Sequence, residues 1–316
     1  MTHRHVAVCI LTYRRPQGLA DAVASVARQR LPEATQLSVI VVDNNPAATA
    51  EATLARAGIP RPANLIVVHE PTPGVAAARN RALDAAAEHG ADDVAFLDDD
   101  DVAEPDWLAA LLATRTRFGA DVVAGPALPA FTHTPPAWVT RGGYFTPRDR
   151  PEGTPLDGAA THNVLIARDV LRRTEVRFDT RLHTAGGEDT VFFAELHAHG
   201  ARMVWSAHAR VHETIPPHRT TARWLWRRWL TYGRSELLRR EKVGAHGARR
   251  GRFAWTGLRR AGYGLVLTLV VLPAWPFGGK GLVIKRTKAL CRGISMLAAL
   301  ARVDPGEDKR RTPPGA

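Results

Sequence analysis

Short apolar runs and amphipathic stretches alternate along the first 125 residues of the chain. The apolar runs predict five strands, at residues 6–11, 37–42, 65–69, 94–97 and 122–125. The stretches between them predict four helices, at residues 19–27, 47–57, 74–88 and 105–117. The first run, at residues 6–11, is apolar throughout rather than at alternate positions, which is typical of a strand covered by helices on both faces. This pattern predicts an α/β layer with a mostly parallel sheet.

Polar side chains follow three of these predicted strands. Thr12, Tyr13 and Arg14 come after the first strand, Asp43 after the second, and four aspartates, Asp98 to Asp101, after the fourth. Ligands of open α/β sheets bind at the carboxyl ends of the strands. We therefore expect a binding site at this edge of the sheet.

The rest of the chain has a different pattern. Residues 126–155 are rich in Pro, Thr and Gly and predict loops. Residues 161–171 predict a strand that runs into a helix, and Glu188 and Asp189 start another helix after two glycines. From residue 218 onward the chain is basic and aromatic and predicts helices, and residues 304–316 predict a flexible tail.

An uncharged run at residues 261–279 interrupts the basic region. Its apolar centre, at residues 265–277, has only 13 residues and contains Pro273 and Pro276. A spanning helix needs about 20 apolar residues, so a re-entrant or interfacial membrane segment is favoured over a spanning one. The alternative is that this run packs as a core helix or strand pair, with the tryptophans nearby packed on the rest of the protein.

Charge is distributed unevenly over the 316 residues. Residues 1–209 carry 20 Lys and Arg against 25 Asp and Glu, whereas residues 210–316 carry 23 against 6. The basic part would suit an anionic membrane surface or nucleic acid, but we find no nucleic-acid-binding motif and expect no nucleic-acid partner. Two distant cysteines exclude a disulfide scaffold, favour a reducing compartment, and, with the short first apolar run, predict a cytoplasmic protein.

Several acidic side chains could carry chemistry. Four adjacent aspartates after a buried strand suit Mg²⁺ or Mn²⁺, although an acidic turn or a helix cap is the alternative. Asp189, with Glu188 beside it, could be a general base or a helix-capping group. His212 and Glu213 could each bind a metal or simply belong to the polar surface.

Seven motifs occur in an order and spacing that resemble those of a known family. They are TYRR (12–15), VVDNN (41–45), GVAAARNRAL (74–83), FLDDDD (96–101), THNVLIARDVL (161–171), GGED (186–189) and HETIPPHRTT (212–221). Together they resemble bacterial family 2 glycosyltransferases of the GT-A fold, in particular polysaccharide-assembly enzymes of the succinoglycan type. The resemblance covers roughly residues 5–235.

The resemblance implies an architecture for the whole chain. It is a GT-A-type nucleotide-diphospho-sugar transferase fold, with a mostly parallel mixed sheet flanked by helices and a helical, basic C-terminal extension. The catalytic domain would span residues 1–217, with a nucleotide-binding half at 1–125 and an acceptor-side half at 126–217. Residues 218–303 would form the membrane-associated helical region.

The resemblance also implies roles for individual residues. Thr12, Tyr13 and Arg14 would contact the base and ribose, Asp43 would accept a hydrogen bond from the base, and Arg79 would lie near the diphosphate. Asp98 would touch the ribose, Asp99 would fill the middle of the Asp-x-Asp motif, and Asp100 would bind Mn²⁺ or Mg²⁺. Asp189, beside Glu188, would be the catalytic base. The third metal ligand would be His212 or Glu213.

The activity implied is inverting, metal-dependent transfer of a sugar from a nucleotide diphosphate donor, with UDP favoured. The acceptor would be a glycan or lipid-linked saccharide, and the enzyme would work at the inner face of the cell membrane. One alternative is a nucleotidyltransferase, which should show a lysine in an N-terminal phosphate loop, yet the first lysine of this chain is Lys242. A non-catalytic sugar- or nucleotide-binding relative is the other alternative.

Overall fold

A computed structural model describes residues 4–60, 62–147, 149–182, 186–243 and 249–301. These residues form two compact units. The first unit comprises the described residues within 1–130, 147–183 and 192–214, and the second unit comprises those within 131–146, 184–191 and 215–316. The predicted domain limits at 217 and 303 stay predictions, and the predicted flexible tail at 304–316 lies outside the described residues.

A seven-stranded mixed sheet is the centre of the first unit, in the order β3-β2-β1-β4-β8-β6-β9. Its strands are β1 (Arg4–Thr12), β2 (Thr35–Asp43), β3 (Leu65–His69), β4 (Asp93–Asp98), β6 (Val122–Ala124), β8 (Asn163–Ala167) and β9 (Met203–Trp205). Pairing is parallel except where β8 lies between β4 and β6. All five predicted strands are confirmed, and so is the strand predicted within residues 161–171.

Helices cover both faces of this sheet. They are α1 (Pro16–Ala27), α2 (Ala50–Arg56), α3 (Val75–Glu88), α4 (Trp107–Phe118), α6 (Arg168–Thr174) and α7 (Glu188–Ala198). Alternate residues of β1 enter opposite cores: Val6 and Val8 pack in one apolar cluster, and Ala7 and Cys9 in the other. Two buried faces explain why these strands are apolar at every position.

A small three-stranded sheet differs from what the sequence predicts. Its strands are β5 (Asp101–Ala103), β10 (Val211–Ile215) and β7 (Ala127–Phe131), in that order. Residues 126–155 were expected to be loops, but they contain β7 and α5 (Ala137–Gly142). Pro129 is the central residue of β7 and every residue of this strand is only partly buried, so the local sequence does not read as a strand.

Four further helices dominate the second unit, which confirms a helical basic region. They are α8 (Ala222–Leu230), α9 (Tyr232–Lys242), α10 (Arg249–Val271) and α11 (Lys280–Leu300). Glycines bring these helices together: a Cβ at Gly264 of α10 would overlap the backbone of Leu290, and one at Gly233 of α9 would overlap that of Ser295. Within the described ranges, one helical segment, Arg250–Phe277, has the length and composition needed to cross a membrane.

Candidate active site

The carboxyl ends of three neighbouring strands bring predicted site residues together in the first unit. Thr12, the last residue of β1, is in register with Asp43 at the end of β2. On the other side of β1, Leu11 is in register with Asp98 at the end of β4. The edge of the sheet that was expected to bind a ligand therefore holds the polar side chains from all three strands.

Asp99 is buried and anchors this edge. Its carboxylate accepts hydrogen bonds from the Thr12 hydroxyl at 3.0 Å and from the Arg15 guanidinium at 2.8 Å. Burial raises the pKa of Asp99 to about 6, with smaller contributions from the charges of Asp100 and Asp98, while Arg15 and Thr12 oppose the rise. Asp99 thus ties the end of β1 to the acidic turn after β4.

Asp98 and Asp100 are more open than Asp99. Their side chains are 38% and 17% exposed, against 8% for Asp99. A guanidinium nitrogen of Arg79 lies 4.0 Å from a carboxylate oxygen of Asp98, and Arg15 lies 3.1 Å from one of Asp100. Two solvent-accessible carboxylates with an arginine beside each are suited to binding a ligand that carries both a cation and phosphates.

Arg79 is placed by the helix that carries it. It lies in the second turn of α3, is 5% exposed, and its guanidinium is 5.5 Å from the Phe178 ring centre. The helix begins after Gly74, whose φ of 126° is a conformation that side chains with a Cβ rarely adopt. Asn44 holds this turn, because its side chain accepts from the Gly74 amide at 3.0 Å and donates to two nearby carbonyl oxygens.

Tyr13 and Arg14 are the exposed part of the same edge. Tyr13 is 52% exposed, and the Arg14 guanidinium lies 5.2 Å from its ring centre. Arg14 has a φ of 55°, in the left-handed region that costs a residue with a Cβ of the order of 1 kcal/mol. Because half of its surface is exposed, the Tyr13 ring is suited to stacking on a planar group beside Arg14.

Asp43 is almost wholly buried. One carboxylate oxygen accepts from the Asn45 amide at 2.9 Å and the other from the Ala50 amide at 2.6 Å, at the start of α2. These bonds shape the loop after β2 and fix the direction of the carboxylate. The predicted contact between Asp43 and a base stays a prediction.

His212 and Glu213 lie on β10, next to β5. The His212 ring is 3.0 Å from the Glu104 carboxylate, and Glu213 is in register with Asp101. Among the described residues, no group of three or more His, Cys, Asp or Glu side chains is arranged to hold a metal ion. A metal-ligand role for His212 or Glu213 stays a prediction.

Glu188 and Asp189 belong to the second unit. They start α7, as predicted, after Gly186 and Gly187, which have φ of 69° and 86°. Glu188 is 5% exposed, while Asp189 is partly exposed and accepts from the Thr190 amide at 2.6 Å. The carboxylate of Asp189 is therefore the more accessible of the two, which suits the predicted base.

Sequence reasoning missed Arg15, although the TYRR motif includes it. Its guanidinium bridges Asp99 and Asp100, and although burial alone lowers its pKa, these two carboxylates raise it overall. Adjacency to Arg14 was the available signal, but only the structure shows which arginine turns toward the aspartates.

Known proteins resemble this chain over most of its length. The glycosyl transferase family 2 profile matches residues 7–174. The chain is 35% identical over 270 residues to the succinoglycan biosynthesis protein ExoM of Rhizobium meliloti strain 1021. The aligned region covers 85% of this chain and 84% of that protein.

Solved structures show the same fold at low identity. The crystal structure of S. aureus TarS 1–349 matches with a TM-score of 0.52 and 16% identity, over 95% of this chain and 90% of that one. The TarS 1–349 complex with UDP-GlcNAc matches with a TM-score of 0.51 and 15% identity, over 98% and 93%. The predicted GT-A-type fold and the predicted family are confirmed: the chain belongs to glycosyl transferase family 2 and is a glycosyltransferase.

Proposed function

We propose that the enzyme transfers a sugar from a UDP-sugar to a glycan or lipid-linked saccharide, with inversion at the anomeric carbon, in the synthesis of a cell-surface polysaccharide. The name of ExoM, a succinoglycan biosynthesis protein, supports a polysaccharide product. TarS, which shares the fold, has been crystallised with UDP and with UDP-GlcNAc, which supports a UDP-sugar donor.

The acidic turn after β4 is the observation that carries this proposal. Asp98 and Asp100 are accessible, while Asp99 between them is engaged by Thr12 and Arg15. Asp98 would contact the ribose, and Tyr13 and Arg14 would lie against the base. Arg79, 4.0 Å from Asp98, would contribute positive charge near the diphosphate.

The carboxylate oxygens of Asp98 and Asp100 are the kind of donor that a hard divalent cation prefers. Asp100, with oxygen ligands from the donor phosphates and water, would hold Mn²⁺ or Mg²⁺, which take few protein carboxylates and complete their shell in this way. Such an ion supplies positive charge where the leaving diphosphate becomes more negative. His212 or Glu213 would be the further protein ligand.

Asp189 would accept the proton of the attacking acceptor hydroxyl. One base and one direct displacement invert the anomeric carbon, so no covalent intermediate is needed. Asp189 is the more accessible of the two carboxylates, which favours it over the buried Glu188 for this role. An inner-membrane location, with the basic second unit on anionic lipid, would bring the enzyme to a lipid-linked acceptor.

A donor panel tests the proposal. UDP-, GDP- and dTDP-sugars would be supplied with Mn²⁺ or Mg²⁺, and release of nucleoside diphosphate and thermal stabilisation would be measured. We expect UDP-sugars alone to give both signals, and none without the metal. Stabilisation by GDP or dTDP but not by UDP would refute the donor assignment.

Two variants separate the proposed roles. Asp189→Asn should lower transfer by a factor of about 100 or more and leave UDP binding intact, whereas Asp100→Asn should weaken metal-dependent UDP binding itself. The exposed Asp106, changed to Asn, is the matched control for Asp100, and Glu241→Gln is the control for Asp189. Full turnover in Asp189→Asn would remove this residue from the base role.

A further inference from the structure

One side of α10 is apolar and uncovered. Leu258, Leu265, Val266, Leu269 and Val270, together with Phe277 in the turn that follows, are between 47% and 89% exposed. We call these six residues the outer face. The four helical residues after Leu258 lie seven, eight, eleven and twelve positions further along the chain, so all five share one side of the helix.

The opposite side of α10 is packed on α11 along its length. A Cβ at Gly264 would overlap the backbone of Leu290, and one at Gly257 would press on the Leu297 side chain. Gly293 of α11 makes an equally close approach to Ala261. These close contacts at Gly257, Ala261 and Gly264 hold the middle of α10 against α11, so this part of the helix does not project from the second unit.

This packing argues against a spanning role for α10, although its length permits one. α11 carries Lys285, Arg286 and Lys288, all exposed, and it packs on its other side against α8 and α9 of the same unit. To cross a bilayer, α10 would have to leave α11 or take these charges into the hydrocarbon, which is strongly unfavourable.

The charge around the outer face suits anionic lipid. Residues 249–301 contain ten Lys and Arg and no Asp or Glu. Lys280, at the end of the uncharged run, lies over the rings of Trp138 and Trp275 at 5.4 and 5.8 Å, an arrangement that suits the membrane interface. A second copy of the chain would bring the same positive charge, so self-association through this face is disfavoured.

We propose that α10 lies in the plane of one membrane leaflet, with the outer face among the upper acyl chains and the neighbouring basic residues on anionic headgroups. This deepens the membrane part of the proposed function by naming the inserting element and its orientation. The sequence left open whether residues 261–279 enter the bilayer; in this arrangement they enter shallowly and do not cross.

Vesicle co-sedimentation of the full chain tests the surface. The variant Leu265→Ser/Leu269→Ser/Phe277→Ser removes the apolar contact, and Val243→Ser/Leu282→Ser/Ile294→Ser removes three exposed apolar side chains elsewhere in the second unit. We expect the first to bind phosphatidylglycerol-containing vesicles at least tenfold more weakly and the second to bind like wild type. Wild type should bind vesicles of pure phosphatidylcholine more weakly than the phosphatidylglycerol-containing vesicles. Equal vesicle binding by both variants would overturn the proposal. A wild-type dimer that becomes monomeric only in the first variant would overturn it too.

Depth measurements distinguish flat from spanning. In a Cys291→Ser background, where the remaining Cys9 is fully buried, single cysteines at positions 258, 265 and 269 would carry a fluorophore. A flat helix predicts that shallow nitroxide lipids quench all three labels more than deep ones do. Stronger quenching of the label at position 265 by lipids with a deep nitroxide than by those with a shallow one would show a spanning helix and refute the proposal.

The donor proposal can fail separately from this one. UDP-dependent thermal stabilisation would be measured on the outer-face variant and on wild type without vesicles, and it should be the same in both. Vesicle binding without any response to UDP would refute the donor assignment and keep the membrane inference. A response to UDP without vesicle binding would do the reverse.

Discussion

Replacing Asn163 by aspartate should destabilise the first unit far more than the same change at a second asparagine with a matching set of partners. Asn163 is the first residue of β8 and is fully buried. Its amide nitrogen donates to the carbonyl oxygens of Pro126 and Ala209 at 3.0 and 2.7 Å, and its oxygen accepts from the Trp107 indole at 2.8 Å. This one side chain therefore joins β8, α4 and the chain segments beside β6 and β10.

The magnitude follows from these bonds. Aspartate keeps the acceptor for Trp107 but loses both donated bonds, at about 1 kcal/mol each. It also places a buried carboxylate against two carbonyl oxygens, which adds about 2 kcal/mol after partial relief by protonation. The sum is about 4 kcal/mol at pH 7, or roughly 10 °C in melting temperature.

Asn44→Asp is the matched control. Asn44 also donates to two carbonyl oxygens, those of Glu70 and Thr72, and accepts from one amide, but it is only partly buried. Water can solvate the new carboxylate there, so we expect a loss of about 1 kcal/mol. Differential scanning calorimetry would compare both variants with wild type. Equal losses would refute the claim that burial, rather than the number of bonds, decides the cost.

The pH dependence adds a second check. Burial raises the pKa of the introduced carboxyl at position 163 in the folded state above its unfolded value. The folded protein then binds a proton more tightly than the unfolded chain, so the destabilisation grows as the pH rises through the folded pKa. The melting deficit should therefore be smaller at pH 5 than at pH 7. A deficit that does not change with pH would mean that the carboxylate is solvated.

Two further predictions concern the second unit. Gly233→Ala should lower the melting temperature strongly, because its Cβ would overlap the Ser295 backbone. Gly251→Ala, on the open side of α10, should instead raise the melting temperature by about 1–3 °C. Calorimetry of the two variants should show shifts of opposite sign, and a lower melting temperature in both would contradict the prediction. Burial opposes ionisation of Glu236, but hydrogen bonds from two arginines lower its pKa overall. Glu236→Gln should therefore lower the melting temperature by about 4 °C at pH 7, and by progressively less as the pH falls below about 4.

The central sheet was predictable because most of its strands are buried on both faces, and even the partly buried edge strand β3 is apolar at its first four positions. The strand at 65–69 was predicted to the residue, and the other N-terminal strands to within two residues at either end. Burial on two faces requires apolar residues at every position, and that requirement is local. The strand β5, in contrast, begins with an aspartate and pairs with β10 more than a hundred residues away, so no local pattern predicts it.

The candidate site was predictable in position but not in detail. The rule that strands end at a common edge was enough to bring Thr12, Asp43 and Asp98 together. It could not show that Asp43 is occupied by backbone amides, because that depends on the path of the following loop. Nor could it show that Arg15 rather than Arg14 faces the aspartates, since the left-handed turn at Arg14 decides the direction of both.

Four identical residues at the end of β4 take four different environments, and the backbone is the reason. The chain bends within this run, because Asp98 ends β4, Asp99 and Asp100 form a turn and Asp101 begins β5, and only two of the four side chains remain partly open to solvent. Asp98 and Asp100 do so, while Asp99 is engaged by Thr12 and Arg15 and Asp101 is buried where β5 pairs with β10. The buried pair therefore shapes the turn, while Asp98 and Asp100 keep part of their carboxylates in contact with solvent. The one-residue spacing between the two open carboxylates therefore comes from this turn and not from the alternation of an extended strand.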